Sequence, residues 1–455
     1  MRKGCTPSEL RETFRISITE GVYAQIYISL AGPGSVFLTK LLTALNATAV
    51  QLGILAAIGQ LSMILQPLGI LFTRKLTHHR AVTVKWAAWG RAMTPLLGIF
   101  PLFMNDSNAI IWILATFGVS TAILSISANI WMAWMARMVP LRIRGRFFAR
   151  RNAILLGFGL AIAFTMGLLV DRLGGDLQTL KYVTASVFLI AGFMGLAGLK
   201  ILARQPEKPV ELITEPVREL LTEPLQKKNF RKLCLFGLWW MLAVGIGAPF
   251  WQPFMIKVLH MGVTEMLLYG LTSTLGSIVT LRYWGILIDR FGNVTAMKFA
   301  VLIGFIVPFV WLFVKPDTIW MLYVEALAAG SMWGCAGVVA ANLVLAVAPE
   351  KRVQTWSGIY SAFCGTGMFI SMLLSGILMP AAITVAGIHL HSMQVLFLIT
   401  AFARLTALIP LSQVNEPEAG SLSAVLSRIR FWTKVRFLSP RLTLKKKGSK
   451  ASRSS

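Results

Sequence analysis

The feature that most constrains the fold is a series of twelve apolar segments, each close to the roughly 20 helical residues that cross a bilayer. Only 14% of the 455 residues are charged, whereas a soluble protein of this length carries about 25%. Apolar runs with so little charge must lie in lipid. We number these segments spans 1 to 12, and their centres lie near Tyr27, Ile58, Thr94, Ile123, Leu160, Ile190, Leu242, Leu275, Ile306, Gly334, Phe369 and Ala401.

The net charge of +26 is distributed unevenly between the connections. One side of the predicted membrane collects most of the basic residues, such as Arg142 and Arg144 after span 4, while the other side carries few, such as Lys40 and Arg172. Because basic residues concentrate in cytoplasmic loops, we expect a multi-pass protein of the plasma (inner) membrane with both termini in the cytoplasm. No basic patch lies in a segment that could fold in water, so nucleic acid is not an expected partner.

Two short motifs occur twice, about half a chain length apart. The first follows span 8 and resembles the cytoplasmic signature G-x-L-x-D-R-x-G-R/K of the major facilitator superfamily, with matches at Gly285, Leu287, Asp289, Arg290 and Gly292. Its echo ends span 2, where Gly69 precedes Arg74 and Thr73 replaces the aspartate. The repeat indicates a duplicated six-helix unit.

The second motif follows the fourth span of each half. Pro140 precedes Arg142 after span 4, and Pro349 precedes Arg352 after span 10; both resemble a turn of the same superfamily. The resemblance implies an all-α polytopic membrane protein with twelve transmembrane helices in two pseudo-symmetric six-helix halves. The expected divisions are an N-terminal half (1–202), a cytoplasmic linker (203–230), a C-terminal half (231–414) and a basic cytoplasmic tail (415–455).

The linker and the tail differ in character. The linker mixes acidic and basic residues with several prolines and is too short to build a hydrophobic core. In the tail, apolar residues recur at helical spacing from about 421 to 438, between arginines and lysines. Such a basic amphipathic helix suits an anionic membrane surface, so anionic lipids are an expected partner of the tail.

Polar side chains within the spans are the functional candidates, because a charge at the bilayer centre costs on the order of 3 kcal/mol or more. In the resembled fold, spans 1, 4, 7 and 10 line a central cavity. For Glu20 the alternative is a structural ion pair with an arginine. For Trp251, near the outer end of span 7, interfacial anchoring is the favoured interpretation. The candidates for binding solute or protons are Glu20, Tyr27, Asn129, Trp240 and Glu325.

The resemblance also implies a latch between the turn after span 8 and the start of span 5. Asp289, next to Arg290, is expected to accept hydrogen bonds from Arg146, from Arg150 or from backbone N–H groups at the positive end of the helix dipole. The matching latch of the first half contains Thr73 and Arg74, and it can supply only a neutral hydrogen bond. The alternative is that Asp289 caps a helix or orders its own turn.

These features predict a secondary active transporter that moves a small solute of unknown identity by alternating access. Proton coupling through the buried carboxylates is an open option. Two alternatives remain: a non-transporting sensor or adaptor of the same fold, and a polytopic membrane enzyme. We find no reactive constellation for catalysis and no spacing of cysteine or histidine typical of a metal site. The protein is therefore not expected to be an enzyme or to require a cofactor.

Overall fold

The computed structural model describes residues 7–68, 77–139, 141–207, 216–349, 352–385 and 388–416. Within these ranges, ten helices are long and apolar enough to cross a membrane. They coincide with every predicted span except spans 2 and 3, which are built from shorter helices. The all-helical polytopic fold is confirmed, and its elements are consistent with twelve spans.

The spans of the N-terminal half follow one another through short connections. Within the described ranges, two helices separated by a break form each of spans 1, 2 and 3, and single helices form spans 4 to 6. In chain order, the helices are Pro7–Ala31 and Val36–Ala44, Ala49–Ile58 and Leu61–Ile64, Arg80–Ala92 and Thr94–Phe103, Asp106–Met138, Leu141–Leu173, and Leu177–Leu202.

The C-terminal half repeats this plan after a linker helix, Val217–Gln226. Spans 7 and 12 are broken and spans 8 to 11 are single helices. An antiparallel hairpin of two short strands, Ile383–Val385 and Ile388–Leu390, connects spans 11 and 12; the sequence did not predict it. In chain order, the helices are Lys228–Gly245 and Trp251–Lys257, Val263–Phe291, Asn293–Phe313, Trp320–Val347, Val353–Ile377, and Ser392–Thr406 and Leu408–Ser412.

Local sequence explains where helices begin and break. Asn105 caps span 4 by accepting a hydrogen bond from Asn108 N at 2.9 Å, which satisfies an N–H group that lacks a partner in the helix. Span 1 breaks at a Gly-Pro-Gly sequence in which Gly34 adopts a φ of +81°. Span 7 breaks at a 3-10 turn that contains Pro249. Proline removes a backbone donor and clashes with the preceding turn, so it interrupts a helix.

Two glutamates show the internal repeat in the structure. The carboxylate of Glu207, just after span 6, accepts hydrogen bonds from backbone N–H groups at the start of span 3, including Arg80 N at 2.8 Å. The carboxylate of Glu416, just after span 12, does the same at the start of span 9, with distances of 2.9 Å to Asn293 N and 2.7 Å to Val294 N. Equivalent segments of the two halves therefore make the same capping contact.

The halves meet along spans 2 and 11 and along spans 5 and 8. Small residues make this approach possible: a Cβ atom at Gly365 in span 11 would lie 2.7 Å from Met63 Cβ in span 2. In the same way, a Cβ atom at Gly167 in span 5 would lie 3.0 Å from a methyl carbon of Leu267 in span 8. Small residues at helix interfaces let backbones pack closely in lipid.

The two ends of the bundle are packed differently. We call the end that carries Leu202 and Lys228 the linker face, and the other end, where span 5 ends and span 8 begins, the opposite face. Near the opposite face, one buried apolar cluster combines both halves, for example Phe37 of span 1 and Phe254 of span 7. Toward the linker face, each half has its own cluster. The halves are thus joined at the opposite face.

Candidate functional site

Among the described spans, a buried carboxylate lines each of two cavities. The larger, which we call the Glu325 cavity, has a volume of about 760 Å³ and is lined mostly by spans of the C-terminal half, with spans 1 and 2 on its other side. The smaller, the Glu20 cavity, has a volume of about 460 Å³ and is lined by spans of the N-terminal half. Cavities of this size hold small molecules. Each is named after its buried carboxylate.

Glu325 lies on span 10 and is only 4% exposed. Its Oε2 accepts a hydrogen bond from the Tyr269 hydroxyl of span 8 at 2.9 Å. Arg404 of span 12 lines the same cavity and donates from Nη1 to the carbonyl of Gly304 in span 9 at 3.1 Å. The cavity therefore contains one acid and one base that belong to different helices.

Aromatic rings form one wall of the Glu325 cavity. Trp251 stacks on Phe397 with ring centroids 3.8 Å apart and planes 14° apart, and Trp311 meets Trp251 at 4.6 Å. Trp251 lines the cavity. Trp251, for which the sequence favoured anchoring at the membrane interface, follows the break at Pro249 and packs against Phe397 of span 12.

Glu20 lies on span 1 and is 3% exposed. Its Oε1 is 3.4 Å from Nη2 of Arg91 in span 3. Arg91 also donates from Nη1 to the carbonyl of Gly195 in span 6 at 2.7 Å, and its guanidinium lies 5.6 Å from the centre of the Tyr27 ring. The ion pair that the sequence offered as an alternative for Glu20 is present.

Arg151 of span 5 completes the Glu20 cavity. Its Nε donates to the backbone oxygen and the hydroxyl of Ser17 in span 1, both at 3.1 Å. Its guanidinium carbon lies 4.9 Å from the centre of the Trp131 ring of span 4, within the range of a cation–π interaction. Arg151 therefore ties spans 1, 4 and 5 together around the cavity.

The remaining candidates lie near the cavities without lining them. Trp240 is 2% exposed, and its ring packs 3.0 Å from the Cβ position of Gly304. Asn129 is half-buried on span 4, and its Nδ2 has no hydrogen-bond acceptor within the described ranges. Tyr27, in contrast, lines the Glu20 cavity and accepts a hydrogen bond from the Thr94 hydroxyl at 3.3 Å. The structure thus brings together Glu20 and Tyr27, and places Glu325 in the other cavity.

The latch residues that the structure describes lie at the linker face. Asp289 and Arg290 end span 8 and are exposed, and Arg150 near the start of span 5 is also exposed. Arg146 lies in the first turns of the same helix. Thr73 and Arg74 lie outside the described residues. The predicted contact between Asp289 and span 5 therefore stays a prediction.

A different contact joins spans 5 and 8 at the opposite face. The carboxylate of Asp171, near the end of span 5, accepts hydrogen bonds from Val263 N at 2.7 Å and Thr264 N at 2.8 Å, the first N–H groups of span 8. Gly262 makes room for it, since a Cβ atom there would lie 2.8 Å from an Asp171 oxygen. A carboxylate at a helix N-terminus is favoured by both hydrogen bonding and the helix dipole.

Sequence reasoning missed Tyr269, Arg151 and Asp171. No sequence pattern marks Tyr269 as a functional residue, because aromatic residues are common in membrane helices. A signal for Asp171 was available: its sequence Asp-Arg-Leu-Gly repeats the pattern of Asp289 and its neighbours, Asp-Arg-Phe-Gly. Arg151 lies deep enough in span 5 to count as an intramembrane charge. Within the described ranges, no group of three or more histidine, cysteine, aspartate or glutamate side chains could hold a metal ion.

Comparisons with known proteins agree with this architecture. A family model described as Major Facilitator Superfamily matches residues 21–371 and 274–444. No curated protein matches the sequence. Solved structures share the fold at low identity. A point mutant of the nucleoside transporter NupG has a TM-score of 0.65 at 14% identity, and the likeness covers 88% of this chain and 100% of that one. A D-xylose–proton symporter has a TM-score of 0.66 at 13% identity, with 90% and 99% covered. An auto-inhibited POT family peptide transporter has a TM-score of 0.64 at 12% identity, with 90% and 98% covered.

Proposed function

The chain belongs to the Major Facilitator Superfamily, and from this premise we propose that it is a secondary transporter that moves a small solute across the membrane by alternating access. The observation that carries the proposal is the pair of cavities with buried charges inside an apolar helical bundle. Charged side chains within membrane helices mark solute and proton pathways. The similar solved structures transport nucleosides, D-xylose with protons, and peptides, which is consistent with a small-molecule substrate.

The arrangement of the two faces supports alternating access. One apolar cluster and the Asp171 contact join the halves at the opposite face, while each half has a separate cluster toward the linker face. Basic residues such as Arg80, Arg204 and Arg231 lie on the linker face, so the positive-inside rule makes that face cytoplasmic. The protein is then closed to the outside, in a plasma (inner) membrane with both termini in the cytoplasm.

The Asp289 latch belongs to the other state of this cycle. When the cytoplasmic ends of spans 5 and 8 meet, Asp289 faces Arg146, Arg150 and the N–H groups at the start of span 5. In the first half, Thr73 supplies no charge at the equivalent point, beside Arg74. The latch is therefore asymmetric, and Thr73→Asp should favour the state that is closed to the cytoplasm.

Proton coupling through Glu325 is part of the proposal. Burying a carboxylate in an apolar environment costs too much free energy unless the carboxylate is protonated or paired with a cation. Glu325 accepts a hydrogen bond from the neutral Tyr269 hydroxyl, whereas Glu20 has a cationic partner in Arg91. Glu325 is therefore the principal proton carrier, and Glu20 adjusts the charge of the other cavity.

The test measures solute uptake by reconstituted protein, with and without an imposed pH gradient. Glu325→Gln should abolish the gradient-driven component and Glu20→Gln should reduce it, while Glu219→Gln in the exposed linker helix serves as the matched control. Full gradient-driven uptake in both cavity variants would exclude coupling through these carboxylates.

A protein that binds solutes and transports none would instead be a sensor or adaptor, and conversion of a solute would identify a membrane enzyme. The tail helix expected at 421–438 lies outside the described residues, and its binding to anionic lipid remains part of the proposal.

A further inference from the structure

The Glu20 cavity has one more positive than negative charge in its described lining. Its charged residues are Glu20, Arg91 and Arg151, and they are 3%, 9% and 9% exposed. The Glu325 cavity, in contrast, balances one glutamate against Arg404. A buried charge without a counter-ion is strongly unfavourable. The smaller cavity therefore favours an anion, whereas the net charge of the larger one changes with the protonation of Glu325, the proposed proton carrier.

The excess charge can be assigned to Arg151. Arg91 places its two η nitrogens on the Gly195 carbonyl and the Glu20 carboxylate, so it is the ion-pair partner of Glu20. Arg151 is held through Nε by Ser17. Within the described ranges, neither of its η nitrogens has a hydrogen-bond acceptor, so the open side of the guanidinium remains available to a ligand.

Two further observations indicate a binding site. The Nε of Arg91 is buried and has no acceptor within the part of the chain that the structure describes. The Arg151 guanidinium lies so close to span 1 that a Cβ atom at Gly21 would be 2.8 Å from Nη2. Its position is therefore fixed by Ser17, Gly21 and the Trp131 ring before any ligand arrives, and a preorganised donor binds more tightly than a mobile one.

We infer that the Glu20 cavity binds a small organic monoanion through its carboxylate, and that the η nitrogens of Arg151 hold that group. A guanidinium matches a carboxylate in shape and can donate two parallel hydrogen bonds. The single excess charge favours a monoanion over a dianion such as a phosphate monoester. This inference names the substrate class of the proposed transporter, and it rests on the proposed function only for the step of transport.

The rest of the cavity lining defines the rest of the ligand. Several of its hydroxyls are already committed, since Ser125 donates to the Thr121 carbonyl at 2.6 Å and Ser127 to the Thr83 carbonyl at 3.0 Å. The remaining walls are largely apolar, including Ala24, Ile28, Phe117, Leu124 and Leu155. The expected ligand is therefore a carboxylic acid with an apolar or aromatic body that fits within about 460 Å³.

The test measures binding to the purified full-length protein in neutral detergent, by thermal shift and by direct titration. The probes are phenylacetate, its neutral isostere phenylacetamide, the cation phenethylamine and the dianion phenyl phosphate. Phenylacetate should raise the melting temperature because it binds the folded state, and the other three should not. Equal stabilisation by the amide or the amine, or stronger binding of phenyl phosphate, would overturn the assignment.

Variants locate the site. Arg151→Gln should weaken phenylacetate binding by about tenfold to a hundredfold, the range for a lost hydrogen bond to a charged group, and Arg151→Lys should restore part of it. The exposed Arg204→Gln is the matched control.

Glu20→Gln should tighten binding because it removes the negative charge that competes for the cavity's arginines, a gain that a poorly folded variant would not show. Unchanged affinity in Arg151→Gln would contradict the inference. Carboxylate binding without solute flux would uphold this site and refute transport. Flux of neutral solutes without carboxylate binding would uphold transport and refute this site.

Discussion

Glu20 and Glu325 are buried to a similar degree but have different partners. Glu20 has Arg91 at 3.4 Å and Arg151 on the same cavity wall, so its negative charge is compensated. Glu325 has a hydroxyl group at 2.9 Å. Because removal of either partner of a buried ion pair leaves an uncompensated charge, substitutions at Glu20 affect stability as well as ligand binding. In the proposed function, this difference gives Glu20 a charge-setting role and Glu325 a proton-carrying one.

At the opposite face, His391 gives the fold a pH dependence. Its side chain caps span 12 by accepting a hydrogen bond from Met393 N. His391 is partly exposed; its partial burial, followed by His389 and Lys257, lowers the pKa of the ring below its ordinary value. The folded state thus favours the neutral ring, and stability should be lost as the pH falls below the unfolded-state pKa. We expect the melting temperature to drop between about pH 7.5 and 5.5, and to drop less in His391→Asn, whose amide keeps a cap without titrating. An equal drop in both proteins would exclude this origin.

Individual residues also show the limits of prediction from sequence. Glu20, Tyr27 and Glu325 could be expected to line cavities inside the bundle because a polar side chain in lipid needs a polar partner. The position of Trp251 could not be predicted, because the direction of the Trp251 side chain depends on the break at Pro249 and not on helical periodicity. The pairing of Glu20 with Arg91 was equally hidden, since the two residues lie on helices whose relative rotation no local pattern encodes.

At the scale of elements, the spans were predictable because each must be apolar over the width of the bilayer. The breaks in spans 1 and 7 follow from glycine and proline. The hairpin between spans 11 and 12 was not predictable, because three-residue strands carry too little pattern. The contacts of Gly167 in span 5 and Gly365 in span 11 come from the structure, which shows that their partners are spans 8 and 2.

Glycines of span 10 allow an element-scale prediction. A Cβ atom at Gly330 would lie 1.7 Å from the carbonyl oxygen of Ser273 in span 8, whereas one at Gly337 would have no neighbour within 4 Å. Gly330→Ala should therefore push spans 8 and 10 apart and cost about 1 to 3 kcal/mol. Gly337→Ala lies in the same helix and should be neutral or stabilising by up to about 1 kcal/mol, because alanine favours helix.

Thermal unfolding would compare these two variants. The buried thiols of Cys234, Cys335 and Cys364 become reactive when the protein unfolds, so a thiol-reactive dye reports the transition. We expect a lower melting temperature for Gly330→Ala alone. Equal melting temperatures for the two variants would show that spans 8 and 10 can separate at little cost.

At the scale of the whole molecule, spans 5 and 8 form a reciprocal pair. Each ends in an aspartate followed by arginine, and the two helices run antiparallel, so each aspartate lies at the face of the bundle where the other helix starts. The Asp171 contact is made at the opposite face, while Asp289 at the linker face is exposed. The sequence could suggest both contacts but not which one is formed, because under the proposed alternating access that depends on the balance between two whole-molecule states.

The reciprocal pair predicts that the two aspartates act in opposite directions. Asp171→Asn removes the negative charge from the N-terminus of span 8 and should open the opposite face. Asp289→Asn should favour the state described here, by weakening the competing latch. Removing a charge from a helix N-terminus is worth about 0.3 to 1 kcal/mol, enough to change a two-state ratio by about two- to fivefold. The exposed Asp317→Asn provides the matched control.

Spin-label distances would measure this balance. Labels at the exposed Leu173 and Leu268 report the separation of spans 5 and 8 near the opposite face, and labels at the exposed Leu156 and Tyr283 report it toward the linker face. In Asp171→Asn the distance between the labels at Leu173 and Leu268 should lengthen, and the distance between the labels at Leu156 and Tyr283 should shorten. In Asp289→Asn the long-distance population of the Leu156–Tyr283 pair should grow. Because the helices are joined at only one face in each state, the two distances must change in opposite senses. Parallel changes, or none in either variant, would refute the reciprocal latch and leave Asp171 as a static cap of span 8.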